Sequence, residues 1–173
     1  MVDPASQLVG RNAEFAASFS HGDRTAAPEL STVVVTCVDP RVDPAHTLGL
    51  EVGEAAVIRT VGGRVSDRIL DDLALYAHFI GPSADDLTVL VMHHTDCGAA
   101  KLADPATRQA ARASGVSPER LEEISSADPS DSVRADVARI SGAGRLPSGV
   151  KVSGCVYDVT NGTVREVVPA GSS

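Results

Sequence analysis

Two stretches decide the fold: Thr32-Val-Val-Val-Thr-Cys37 and Leu87-Thr-Val-Leu-Val-Met-His-His94. The first is a β-branched run bounded by Pro28 and Pro40. Branched side chains pack well on a pleated surface, so it predicts a buried strand with Cys37 at its C-terminal end. The second is apolar up to the histidines, the pattern of a central parallel strand covered on both faces. Between them Ala55 to Thr60 predicts another strand, followed by a Gly62-Gly63 loop. Ser66 then caps a helix to about Ile80, with Ile69, Leu70, Leu73, Tyr76, Ala77 and Ile80 along one face. Gly81-Pro82 stops it. Residues 44 to 50 predict a short helix with Pro44 in its first turn.

Working outward, Leu8, Val9, Phe15 and Phe19 predict an amphipathic N-terminal helix over about residues 6–20, ended by His21-Gly22-Asp23. On the other side, Ser117-Pro118 is a helix start, and residues 130–141 put Val133, Val137 and Ile140 on one face. Val150 to Tyr157 and Thr163 to Val168 predict strands joined at Asn161-Gly162, a hairpin signal. Residues 169–173 form a Gly-Ser tail expected to be disordered. The alternation predicts a single α/β domain over residues 1–173: a mostly parallel central sheet flanked by helices, with a C-terminal antiparallel hairpin.

Composition narrows the function. The chain has 173 residues and a formal charge of -8, which disfavours nucleic acid and polybasic membrane contacts. Aromatic residues make up 3% with no Trp, too few for base-stacking or sugar-binding surfaces. No apolar stretch is long enough to span a bilayer, and the start, Met1-Val-Asp-Pro-Ala, has no signal-peptide pattern. A cytoplasmic location is therefore expected, with the 3 cysteines reduced. A reduced thiol is a core residue, a nucleophile or a metal ligand.

In parallel sheets the working site lies at the carboxyl ends of the strands. After the first strand comes Cys37-Val-Asp-Pro-Arg41; after the third comes His93-His-Thr-Asp-Cys-Gly98. Two soft sulfurs and an imidazole make a set that prefers zinc, and three ligands leave a fourth position open for water. Bound zinc lowers that water's pKa to about 7. Asp39 and Arg41, two apart, can pair in an extended segment; the carboxylate then accepts from the zinc's water, or swings onto the metal and closes the site. Alone, Cys37 reads as a packed small hydrophobe. Cys-x-Asp-x-Arg arises by chance in about one chain in a hundred of this size, and having His-x-x-Cys after the next parallel strand makes coincidence remote.

This constellation resembles the β-class carbonic anhydrases, most closely their short bacterial, mycobacterial-like branch, over about residues 10–168. Cys37, Asp39, Arg41, His94, Cys97 and Gly98 fill the family signature. Val57-Ile-Arg-Thr-Val-Gly-Gly63 and Gly154-Cys-Val-Tyr-Asp158 to Gly162 extend it. The resemblance implies Zn2+ held by Cys37, His94 and Cys97, with Asp39 either the fourth ligand or the partner of the zinc's water, held by Arg41. It implies reversible hydration of CO2 to bicarbonate, and a homodimer or homotetramer in which the N-terminal helix reaches over its neighbour. Carbonyl sulfide and carbon disulfide hydrolases share the zinc set and are the rival reading; a non-catalytic zinc or bicarbonate-sensing module is another.

Departures are Pro40, which removes a backbone donor from the motif loop, and Thr60 where the family commonly has Asn. Gly62 and Gly63 are candidates to bring backbone close to substrate, or simply make a turn. His93 should face away from His94 and be structural, Asp96 should cap the next helix, His46 should be a surface histidine and Cys155 a packed thiol.

Overall fold

The computed structural model describes residues 3–125 and 128–172. The strands are β1 (Thr32–Cys37), β2 (Ala55–Thr60), β3 (Thr88–His94), β4 (Lys151–Tyr157) and β5 (Val164–Ser172). The helices are α1 (Pro4–Ala17), α2 (Pro44–Thr47), α3 (Asp67–Ile80), α4 (Pro105–Ala113), α5 (Pro118–Ile124) and α6 (Pro129–Gly142). The strands form one sheet in the order β2-β1-β3-β4-β5. The first four are mutually parallel and β5 is antiparallel to β4. The expected α/β class and terminal hairpin are both present.

The two decisive stretches lie side by side at the centre, Val34 opposite Leu90 and Thr36 opposite Met92. Strand alternation sends Val33, Val35, Val89, Val91 and Val152 to one face, where they meet Ile69, Leu70 and Leu73 of α3 and Val133, Val137 and Ile140 of α6. Each such side chain contributes roughly 1.5–3 kcal/mol when fully buried. Ser66 caps α3 as expected, accepting from Ile69 N–H, and Asp128 caps α6, accepting from the Ser130 and Asp131 N–H groups. Gly154 lets α6 close on β4, since a Cβ there would sit 2.3 Å from Val133 Cγ1.

The opposite face is covered more thinly. Val34, Met92 and Cys155 meet only partly buried neighbours, among them Leu48 and Leu50 just after α2. Helices on both faces are thus present, but unequally. A third small cluster, Leu102, Leu121 and Ile124, joins α5 to the segment after β3.

Two ends differ from expectation. The expected tail is paired: β5 continues past Pro169, with Gly171 opposite Val152 and Ser172 opposite Lys151. Backbone bonds to β4 organise a stretch whose composition suggests no order; residue 173 lies outside the described residues. Helix α1 forms slightly earlier than expected, because Asp3 caps it and Pro4 occupies its first turn. No residue of α1 is buried. Among the described residues no helix is long and apolar enough to cross a membrane.

Candidate metal centre

The parallel strands deliver the motif residues to one end of the sheet. Cys37 ends β1 and His94 ends β3, while Cys97 immediately precedes a 3-10 helix over Gly98–Ala103. Their ligand atoms all lie within 4.8 Å of one another, and the two sulfurs are 3.9 Å apart. His94 Nδ1 donates to the Thr95 carbonyl at 2.9 Å, which leaves a lone pair on Nε2. That Nε2 is buried and has no hydrogen-bond partner among the described residues. An unpaired buried acceptor costs about 1–3 kcal/mol unless something satisfies it, and a cation shared with the two sulfurs would do so. The donor set therefore fits zinc, which Cys37, His94 and Cys97 would hold.

The thiols are electrostatically prepared for a cation. Contact with Cys97 pulls the Cys37 thiol down to about 4, against the opposing effect of burial. His94 and the N–H groups of Asp39 and Gly62 lower it further. The same contact, with burial, pushes Cys97 up. A bound dication would make both sulfurs thiolates.

Asp39 stands beside this group. Its Oδ2 lies 4.0 Å from His94 Nε2 and accepts from Arg41 Nη2 at 2.7 Å. Its Oδ1 accepts from Arg41 Nε and from the Arg41 backbone N–H, each at 3.0 Å. These hydrogen bonds hold the carboxyl at about 2, so it is ionised near neutrality and only accepts. Pro40 removes no needed donor, because Arg41 and Val42 supply the loop's N–H bonds to Asp39.

The glycines separate. Gly62 lines a cavity of about 50 Å³ with His94, Asp96, Cys97 and Ala99. Its φ is 77°, and a Cβ there would sit 3.1 Å from Ala99 Cβ. Gly63 packs on the end of β1, where a Cβ would come 3.2 Å from the Cys37 nitrogen. His93 is buried and faces α6, bonded through Nε2 to Asp136 Oδ2 at 3.0 Å, which matches its structural reading. His46 is exposed and Cys155 buried, also as read. Asp96 corrects the expectation: no side chain caps the 3-10 helix, and its carboxylate instead accepts from Arg41 Nη1 at 2.9 Å.

Three supporting residues escaped the sequence reading. Arg59 of β2 donates to the Cys37 and Asp39 carbonyls at 3.0 and 2.8 Å and to Asp43 at 3.0 Å, clamping the motif loop. Arg64, just past the glycines, forks onto Asp136 at 2.8 and 3.1 Å. Asp136 is buried; burial alone would raise its pKa, but His93 and Arg64 outweigh that and hold it low. A signal existed for Asp136, since it falls between Val133 and Ile140 on the apolar stripe of α6, where a carboxylate demands a partner.

A family model described as carbonic anhydrase matches residues 32–141, the segment holding all of these donors. "Beta-carbonic anhydrase 1" of Mycobacterium tuberculosis is 30% identical over 162 residues, covering 93% of this chain and 96% of its own. The chain belongs to the β-carbonic anhydrase family. A solved carbonic anhydrase from Streptococcus mutans superposes with a TM-score of 0.82 at 30% identity, covering 96% of this chain and 99% of that one. "Carbon disulfide hydrolase" of an Acidianus species is less similar, 22% identical over 77% of this chain and 75% of its own. In this β-carbonic anhydrase the motif residues sit where two parallel strands end, and Arg41 and Arg59 tie their loops together.

Proposed function

We propose that this chain is a zinc-dependent carbonic anhydrase interconverting CO2 and bicarbonate. The observation that carries the reading is the Cys37, His94 and Cys97 donor group with the Asp39 carboxylate beside it but turned onto Arg41. Cys37, His94 and Cys97 would hold the zinc, leaving one position free. When bound, zinc would make hydroxide available near neutral pH by lowering the pKa of a coordinated water to about 7. Asp39, kept ionised by Arg41, would accept a hydrogen bond from the water at that position and so orient its lone pair. Gly62 donates its N–H to Cys37 and lines a small cavity beside His94 and Cys97. An Asp39 paired with Arg41 also speaks against a permanently closed, purely structural zinc site.

The test is stopped-flow CO2 hydration by the zinc-loaded protein, after chelation, and after zinc is restored. Activity should vanish and return with the metal. A zinc-loaded chain that does not hydrate CO2 overturns the reading. Sulfide release from carbon disulfide or carbonyl sulfide without CO2 hydration would transfer the site to the rival hydrolase chemistry.

The enzyme acts as a homodimer in this reading. Helix α1 exposes Leu8 (63%), Val9 (74%) and Phe15 (51%), an apolar face that the described residues leave largely open. Edge strand β2 and α3 expose a groove of about 450 Å³ lined by Val57, Leu75, Tyr76 and Phe79. Two unpaired apolar surfaces on one acidic chain are each best covered by a second copy.

A further inference from the structure

We infer that Asp96 is a positioning residue for the metal centre: it grips the far edge of the Arg41 guanidinium and so keeps Asp39 away from the open metal position. The inference rests on the metal-centre reading above. A guanidinium has two donor edges. One edge of Arg41, Nε and Nη2, holds both oxygens of Asp39 at 3.0 and 2.7 Å. The other edge, Nη1 and Nη2, meets Asp96 twice, at the carboxylate Oδ2 (2.9 Å) and the backbone carbonyl (3.0 Å).

The two grips are not equivalent. Asp39 is two residues from Arg41, so that pair alone could swing as a unit with its loop. Asp96 lies 55 residues away and adjoins Cys97, so its bonds pin Arg41 to the second ligand loop. The backbone at Asp96 is turned for this: its φ is 51°, a left-handed value that Asp tolerates better than most residues. Asp96 is also free for the role, since no side chain caps the helix that follows.

The opposing view is a solvated surface ion pair with no consequence, and the Asp96 side chain is 71% exposed. Such pairs contribute little to folding. The balance decided here is smaller than folding, however: whether Asp39 rests on Arg41 or on the metal. If it rests on the metal, an incoming anion finds the position taken, and its apparent affinity falls in proportion to the open fraction.

The experiment replaces zinc by cobalt(II), whose visible spectrum reports an anion entering the coordination sphere, and titrates azide into wild type, D96G and D96N. Glycine suits the left-handed backbone, so D96G removes the side chain without backbone strain. Asparagine also tolerates that backbone and keeps an acceptor oxygen toward Nη1. We expect D96G to bind azide about five-fold more weakly, with full cobalt content, and D96N to restore affinity to within about two-fold. Wild-type affinity in D96G, or equal losses in D96G and D96N, would overturn the role of Asp96. Failure of the wild-type chain to take up cobalt would refute the metal centre itself. The readout uses no CO2, so it also stands apart from the choice of substrate.

Discussion

Cys97 illustrates how one side chain carries a whole site. Its sulfur lies 3.9 Å from that of Cys37, and each thiol alone is an ordinary small group. Losing a group that merely supports a metal ligand costs about 10–100-fold in metal affinity, so Cys97→Ala should cost more than about a hundred-fold. Zinc content by atomic absorption and CO2 hydration should then fall together. Cys155 is the contrasting case. Burial, aided by Glu166, pushes its thiol up to about 12 from the ordinary 9.0. The fold favours the neutral thiol, so this contribution is complete below about pH 9 and is lost as pH climbs through about 12. In the zinc-loaded protein Cys155→Ala should therefore lose less stability across that window than wild type, read from urea midpoints at each pH.

At the scale of elements, the question is what holds the strand ends still. Gly63 closes the turn after β2 directly against β1, with φ 70° and no room for a Cβ beside Cys37. Gly63→Ala should displace Cys37 and reduce zinc affinity at least about ten-fold, measured by competition with a chromophoric chelator. On the other side of β3, Arg64 and His93 share the Asp136 carboxylate, tying the turn after β2 and the end of β3 to α6. Arg64→Met would leave Asp136 buried with a single polar side-chain partner and should destabilise the protein by about 3–5 kcal/mol in urea unfolding. The sign with pH follows from the depressed Asp136 pKa. Its contribution is present above the ordinary carboxylate value of 3.8 and is lost as pH falls through its lower folded value. The mutant should therefore differ most from wild type near neutrality and converge with it in acid.

At the scale of the molecule, the sheet is well covered on the α3 and α6 face and thinly covered on the other. No residue of helix α1 is buried among the described residues. An isolated helix of 14 residues is marginal in water, so α1 needs something to pack on. Val9→Asp combined with Phe15→Glu should convert a dimer to a monomer in sedimentation equilibrium, while leaving the central sheet intact by circular dichroism. A wild-type chain that sediments as a monomer at micromolar concentration would contradict the homodimer.

Much of this was written locally. The β-branched run at Val33–Val35 and the apolar run at Val89–Met92 specify buried strands by side-chain shape and hydrophobicity alone. Ser66 and Ser117 mark helix starts through their side-chain oxygens, and Gly81 marks a helix end through its left-handed backbone. Cys37, Asp39, Arg41, His94 and Cys97 were legible because their types and spacing match one metal chemistry at adjacent strand ends. The partnerships of Asp96, Arg59 and Arg64 were not, because each joins residues far apart in the chain, and a charged side chain in isolation reads as solvated. Asp96 was expected to serve its own neighbours and instead serves Arg41 across 55 positions. The sequence by itself determined which elements form and which donors meet at the sheet's end. Only the tertiary structure decided how those donors are held, because long-range hydrogen bonds depend on the register and packing of the strands that bring their partners within reach.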